Sequence, residues 1–186
     1  MRLPAPRIAP LTDAELTPEA REALSALPEF ARAFNIFRTQ AHNPDALNAF
    51  LAWGNYVLSA RNSLSERQRE LAILRTGWLC RAGYEWAQHC VIGQRAGITE
   101  AEIAAIKAGP DAPGWDPLEA AILRACDELV RDHFITDVTW AALAPLGDTG
   151  RTDLIYTAGQ YTQVSMLLNS CGVQLDPGLM ADADLG

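Results

Sequence analysis

The chain lacks any apolar run of the roughly eighteen or more residues that a membrane span requires, so a membrane location is not expected. Its first residues, MRLPAPRIAPL, carry two arginines and three prolines but no continuous apolar stretch. That is not the pattern of a secretory leader, and a cytoplasmic protein is the expectation. Clustered Lys/Arg runs are also missing. With 15 basic against 23 acidic residues and a net charge of −8, the chain has no means of displacing counterions from a phosphate backbone, so nucleic acid is not an expected partner. Cysteine is scarce: Cys80, Cys90, Cys126 and Cys171 are the only four, and no two form a Cys-x-x-Cys pair. A disulfide framework is not expected, and burial in the core is the ordinary fate of such thiols. Alternating β-branched stretches are absent as well, which removes the usual signal for strands.

What is present is a series of helix starts. Thr12-Asp13-Ala14-Glu15, Ser65-Glu66-Arg67-Gln68 and Thr99-Glu100-Ala101-Glu102 read as capping boxes, with Leu11/Leu16 and Ile98/Ile103 placed as hydrophobic staples. Thr17-Pro18, Asn43-Pro44 and Asp116-Pro117 each put a capping side chain before a proline at the first helical position. The pattern predicts helices over about 13–26, 44–60, 65–80, 83–96, 99–108, 117–132, 137–146 and 150–171. The fold class is therefore all-α, a single-domain bundle of about seven or eight helices. At 49% apolar residues the chain can bury a sizeable core. The segment ELAILRTGWLC is apolar nearly all round, as in a helix central to a bundle, yet it carries Glu70 and Arg75. Charges on a buried helix need partners or a cavity.

Chemistry-bearing residues concentrate in CRAGYEWAQHC, residues 80–90. On a continuous helix Cys80 and Cys90 would be separated by about 15 Å of rise, against the roughly 7 Å between Cα atoms that a disulfide tolerates. A direct bridge is not expected. Glu85 and His89, four apart, share a helix face, but two ligands do not make a zinc site, and no metal is expected. The third reading is acid–base chemistry. Glu70 lies nineteen positions before His89, and the midpoint falls beside Arg81-Ala82-Gly83. A turn there makes two antiparallel helices with Glu70 and His89 at one height, and a carboxylate beside an imidazole orients the ring and raises its basicity. Glu85 is near enough to join. The bland alternative is a solvated Glu85–His89 pair. His42 and His133 suit a loop and a helix C-terminus. Trp53, Trp78, Trp115 and Trp140 suit the core or a subunit contact, and the apolar helix 160–171 with Tyr161, Val164, Met166, Leu167 and Leu168 suits core or interface.

The run SERQRELAILRTGWLCRAGYEWAQHCVIGQRAGITEAEI, residues 65–103, also resembles the carboxymuconolactone decarboxylase / alkylhydroperoxidase-D-like family. It has a Glu in one helix, a turn, a His in the next helix and an R-x-G-[IL]-T-x-x-E-I exit. NIFRT at 35–39, NPDAL at 43–47, DELV at 127–130 and GQYTQVSMLLNSCGVQLD at 159–176 extend the likeness, and Tyr84-Glu85-Trp86 is typical of one subgroup. The resemblance implies an alkylhydroperoxidase-D-like helical domain over 44–172, preceded by an extension with short helices (1–43) and followed by a tail (173–186). It also implies a homo-oligomer, a trimer or hexamer. Peroxidase members carry Glu-x(11)-Cys-x-x-Cys-x(3)-His. Counted back from His89, the cysteine positions hold Glu85 and Ala82, while Glu70 keeps the leading glutamate. A thiol–peroxide cycle needs the missing pair.

The decarboxylase branch works without that pair or a cofactor, on small carboxylated lactones. The expectation is accordingly a cofactor-independent lyase that acts on a carboxylated lactone or dienoate. Its catalytic residues would be Glu70, Glu85 and His89, with Arg75 or Arg81 as the carboxylate anchor and Tyr84 and Trp86 as walls or donors. Three alternatives stay open. One is a hydroperoxide reductase using a displaced Cys80 or Cys90. Another is an isomerase or esterase of a related dicarboxylate. The last is a non-catalytic helical oligomer, in which Glu70 and His89 would be apart and Trp78 or Trp86 would fill the space between their helices.

Overall fold

The computed structural model describes residues 2–185, which contain nine α-helices and no strand among them. Helix starts follow local capping chemistry where the sequence carries it. Asn43 caps α3 (Pro44–Val57) by accepting from Ala46 N at 3.1 Å. Ser65 and Gln68 close a reciprocal box on α4 (Glu66–Leu79), and Thr99 and Glu102 do the same for α6 (Glu100–Ala108). Asp116 accepts from Leu118 N and Glu119 N at 2.8 and 2.9 Å to start α7 (Pro117–Asp132).

Two expected helices are trimmed by proline. The Thr12–Glu15 bonds form, but they close a turn, and α1 is Pro18–Ser25. A residue that precedes proline is pushed out of the helical region, and Thr17 accordingly sits extended at ψ 164° as the cap. In the same way α8 is only Asp137–Ala142. A short 3₁₀ turn through Pro145 then separates it from α9 (Gly147–Cys171). One helix is unexpected: α2 (Asn35–Gln40) has no capping side chain of its own, and Asn35 N instead donates to Asp176 Oδ1 at 2.8 Å from the far end of the chain.

The axis of the molecule is α4, buried from Arg69 through Gly77 and packed against α5 (Gly83–Arg95), α6, α7 and α9. Leu71, Ala72, Ile73 and Leu74 are fully buried on successive faces, which is why this helix is apolar all round. The chain reverses at Cys80–Ala82, with Arg81 in the left-handed region at φ 53°. Gly77 lets the two arms meet closely, since a Cβ there would lie 3.1 Å from Glu85 Cγ.

Residues 173–185 fold back over the bundle. Asp176 accepts from Gln88 Nε2 at 2.8 Å and from the Tyr84 hydroxyl, Asp182 accepts from Trp86 Nε1 at 3.0 Å, and Leu185 is buried. No helix among the described residues is long and apolar enough to cross a membrane.

Candidate active site

The turn after α4 sets Glu70 and His89 face to face. His89 Nδ1 lies 2.7 Å from Glu70 Oε2, and its Nε2 lies 3.3 Å from Glu85 Oε1. The side chains of His89, Glu70 and Glu85 are 9%, 2% and 4% exposed, so this is not a solvated surface pair. The Tyr161 ring of α9 stands edge-on to the imidazole at 5.0 Å.

The environment splits the roles of the two carboxyls. Burial pushes Glu85 up to about 7; His89 opposes the rise and Glu70 adds to it. Glu85 Oε1 makes no well-formed hydrogen bond among the described residues, because its approach to Nε2 is a charge contact of poor alignment. For His89, burial disfavours the charged ring, but the charge and hydrogen bond of Glu70, with help from Glu85, outweigh it and hold the imidazole above its ordinary value. Arg69, next to Glu70, pulls the other way. Its Nε is buried with no hydrogen-bond partner among the described residues. Glu85 and His89 therefore influence each other's titration as a coupled pair.

This unit opens on a cavity of about 300 Å³ between α2, α3, α5 and α9. Phe34, Phe37, Phe50, Leu51, Ile92 and Val164 are part of its apolar wall, and Glu85, His89, Gln160 and Tyr161 also line it. Residues 27–37, ahead of the expected helical domain, supply part of that wall.

The other residues singled out in the sequence lie elsewhere or are committed. Arg75 does not line the cavity. Its Nε and Nη2 grip Asp127 at 2.5 and 2.9 Å, and its Nη1 donates to the carbonyls of Ile106 and Lys107 at 2.7 and 3.1 Å, closing the end of α6. Gly109 makes room for it, since a Cβ there would be 2.7 Å from Arg75 Nη2. Arg81 is exposed on the turn and also outside the cavity. Neither arginine is thus placed to anchor a substrate carboxylate in this cavity, since charge and sequence neighbourhood do not fix the direction of a side chain.

Tyr84 lines the cavity, but its hydroxyl is held by Asp176, which together with burial keeps the phenol protonated. Trp86 packs on Trp78 at 5.1 Å away from the cavity. Glu70 and His89 are neighbours and neither tryptophan fills the space beside them, contrary to what a decayed site would show. Cys80 and Cys90 are half-buried and also off the cavity. Burial raises both thiols, Cys90 to about 12, the reverse of what a reactive thiolate needs. Among the described residues no group of three or more His, Cys, Asp and Glu is arranged to hold a metal ion.

Gln160 and the phenylalanine wall were not foreseen. The glutamine in GQYTQ, inside an otherwise apolar helix, was a usable signal; the wall, built by tertiary contacts, left none.

Residues 44–128, spanning α3 to α7 and so the whole Glu70–His89 pair, match the model of the carboxymuconolactone decarboxylase family. This segment, a little under half of the chain, is similar to that family. No curated protein matches the chain by sequence. Several solved structures share the fold of this chain. A peroxidase-related protein from Silicibacter sp. TM1040 is 16% identical with a TM-score of 0.74, over 99% of this chain and 93% of its own. A peroxidase-related protein with an alkylhydroperoxidase AhpD core, from Ralstonia eutropha JMP134, is 19% identical with a TM-score of 0.71, over 91% and 93%. The debrominase Bmp8, in a complex with 2,3,4-tribromopyrrole, is 15% identical with a TM-score of 0.71, over 91% of each chain. At these identities the likeness is one of fold.

Proposed function

We propose that this chain is an acid–base enzyme, a lyase or isomerase of the carboxymuconolactone decarboxylase type, that moves a proton on a small organic substrate held in the cavity beside His89. The observation that carries this reading is the buried Glu70–His89 hydrogen bond, with Glu85 on the other ring nitrogen and open cavity next to both. Glu70 accepts from the Nδ1–H and so fixes the ring's tautomer and orientation. Nε2 is then the nitrogen that takes a proton from, or returns one to, a carbon next to a substrate carbonyl. Glu85, balanced between its two protonation states near pH 7, serves as the second acid or base. In the decarboxylating version, loss of CO₂ leaves a dienolate, and the same pair delivers the proton that quenches it.

Ligand size fits this reading. Bmp8 is complexed with a small ring compound, and a molecule of that scale suits a cavity of about 300 Å³. The hydroperoxidase alternative has less support here, since neither Cys80 nor Cys90 faces the cavity and both thiols are held protonated.

The test is a panel of five- and six-membered lactones and enones, carboxylated and uncharged, incubated with the protein in D₂O and followed by NMR for deuterium uptake and CO₂ loss. Uptake at the carbon next to the carbonyl above the buffer rate is expected. A silent panel, together with hydroperoxide turnover that disappears in the Cys80→Ser/Cys90→Ser variant, would overturn the reading in favour of the thiol mechanism.

A further inference from the structure

Gln160 is the anomaly of the cavity. It is 2% exposed, lines the cavity, and neither its Nε2 nor its Oε1 has a hydrogen-bond partner among the described residues. Leaving a buried amide donor and acceptor both unmade is costly, and native structures do so rarely. Of the other polar groups on the wall several are committed, though Glu85 Oε1 also has no hydrogen-bond partner among the described residues. Tyr84 and Gln88 are tied to Asp176, and His89 to Glu70. On α3 Gly54 stands beside the amide: a Cβ there would be in ordinary van der Waals contact with Gln160 Nε2, at 3.8 Å.

Charge narrows the occupant further. Among the described residues no lysine or arginine lines the cavity, while the carboxyls of Glu70 and Glu85 flank the His89 imidazole. An anionic ligand would have to compete with both carboxyls for that single imidazole, the one group on the wall that can carry a positive charge, and like charges brought together out of water repel strongly. The remaining wall is aromatic and aliphatic, suited to the face of a ring.

We infer that Gln160 is the substrate-recognition residue of this site, and that its ligand is an uncharged ring compound carrying a carbonyl beside an N–H or O–H, which pairs with the Gln160 amide through one accepted and one donated hydrogen bond. The inference takes the acid–base reading as its premise and specifies the substrate class for it, replacing the carboxylated lactone with a neutral carbonyl compound. The carbonyl would receive Gln160 Nε2–H, the neighbouring N–H or O–H would donate to Oε1, and the ring would lie along Phe34, Phe37 and Phe50 within reach of His89.

The test is binding, so that it does not depend on turnover. Three probes share one two-ring frame: 2-quinolone, with donor and acceptor; 2-methylnaphthalene, with neither; and 2-naphthoate, an anion. Affinities are measured by calorimetry or protein NMR at pH 8 on wild type, Gln160→Leu and Gln160→Met. Both variants should weaken 2-quinolone by roughly tenfold, the scale of a buried hydrogen-bonded pair lost on one side. They should leave 2-methylnaphthalene within about twofold, and 2-naphthoate should bind weakest to wild type. Melting temperatures should stay level or rise, since each variant removes an unpartnered amide.

Two results overturn the inference: equal losses for 2-quinolone and 2-methylnaphthalene, or 2-naphthoate as the tightest ligand. His89→Ala separates the two claims. The probe order should persist in it, so a panel silent for deuterium uptake sinks the acid–base reading alone, and an unchanged probe order in the Gln160 variants sinks the recognition role alone.

Discussion

Replacing His89 with alanine should lower the rate of carbon–deuterium exchange by about 10²–10⁴, the range that a positioned general acid–base group supplies. The imidazole is the group that joins Glu70 to Glu85 at 2.7 and 3.3 Å, and its loss separates Glu70 from the cavity-lining Glu85. Glu70→Gln should produce a smaller loss of the same sign. The amide has nearly the same shape but only half the acceptor capacity, so the ring is no longer held in one tautomer with Nε2 free for the substrate. Both rates are to be read beside melting curves, because Glu70 is buried and its replacement also alters packing. A His89→Ala enzyme that stays folded and exchanges deuterium at the wild-type rate would remove the histidine from the mechanism.

The second large effect is on stability and should leave the chemistry alone. Arg75→Met is expected to cost about 3–5 kcal/mol, the range for removing one partner of a buried ion pair. The Arg75 side chain is 5% exposed and makes a two-pronged contact to Asp127 as well as bonds to two carbonyls at the end of α6. Removing it leaves the Asp127 carboxylate with the exposed Arg131 at 3.7 Å in place of the two-pronged contact, and leaves both carbonyls without this donor. Urea denaturation at constant m-value measures the loss. Changing both partners, Arg75→Met with Asp127→Leu, should recover much of it, because no uncompensated charge remains. Exchange activity per folded molecule should be unchanged in both variants. If Arg75→Met unfolds no more easily than wild type and instead weakens substrate binding, Arg75 is an anchor after all.

These two residues also show how far the sequence could be read. Glu70 and His89 were found because the relation between them is local in kind: two helices, one turn, and equal distances from its midpoint. The starts of α3, α4, α6 and α7 were legible for the same reason, since a capping side chain bonds backbone within three residues of itself. Arg75 was visible as a buried charge, but its partner lies 52 positions away on α7, and charge alone does not say which face of α4 it leaves from. α2 escaped because its first amide is satisfied by Asp176, 141 positions on. The phenylalanine wall escaped with it, being made of residues whose meeting is a property of the packed bundle. A glutamine that faces a cavity differs from one that faces solvent only in its tertiary surroundings, so Gln160 could be placed on α9 but not pointed.

The central claim is that Glu70 holds His89 as the proton-bearing group of an acid–base unit. Nitrogen-15 NMR of the imidazole, with pH varied on wild type and Glu70→Gln, tests it most directly. In wild type the proton of the neutral ring should sit on Nδ1, and the midpoint should lie above the ordinary value of 6.5. In Glu70→Gln the midpoint should fall, because burial then acts against the charged ring without its main opponent. A wild-type midpoint at or below 6.5 that the substitution does not move would contradict the account.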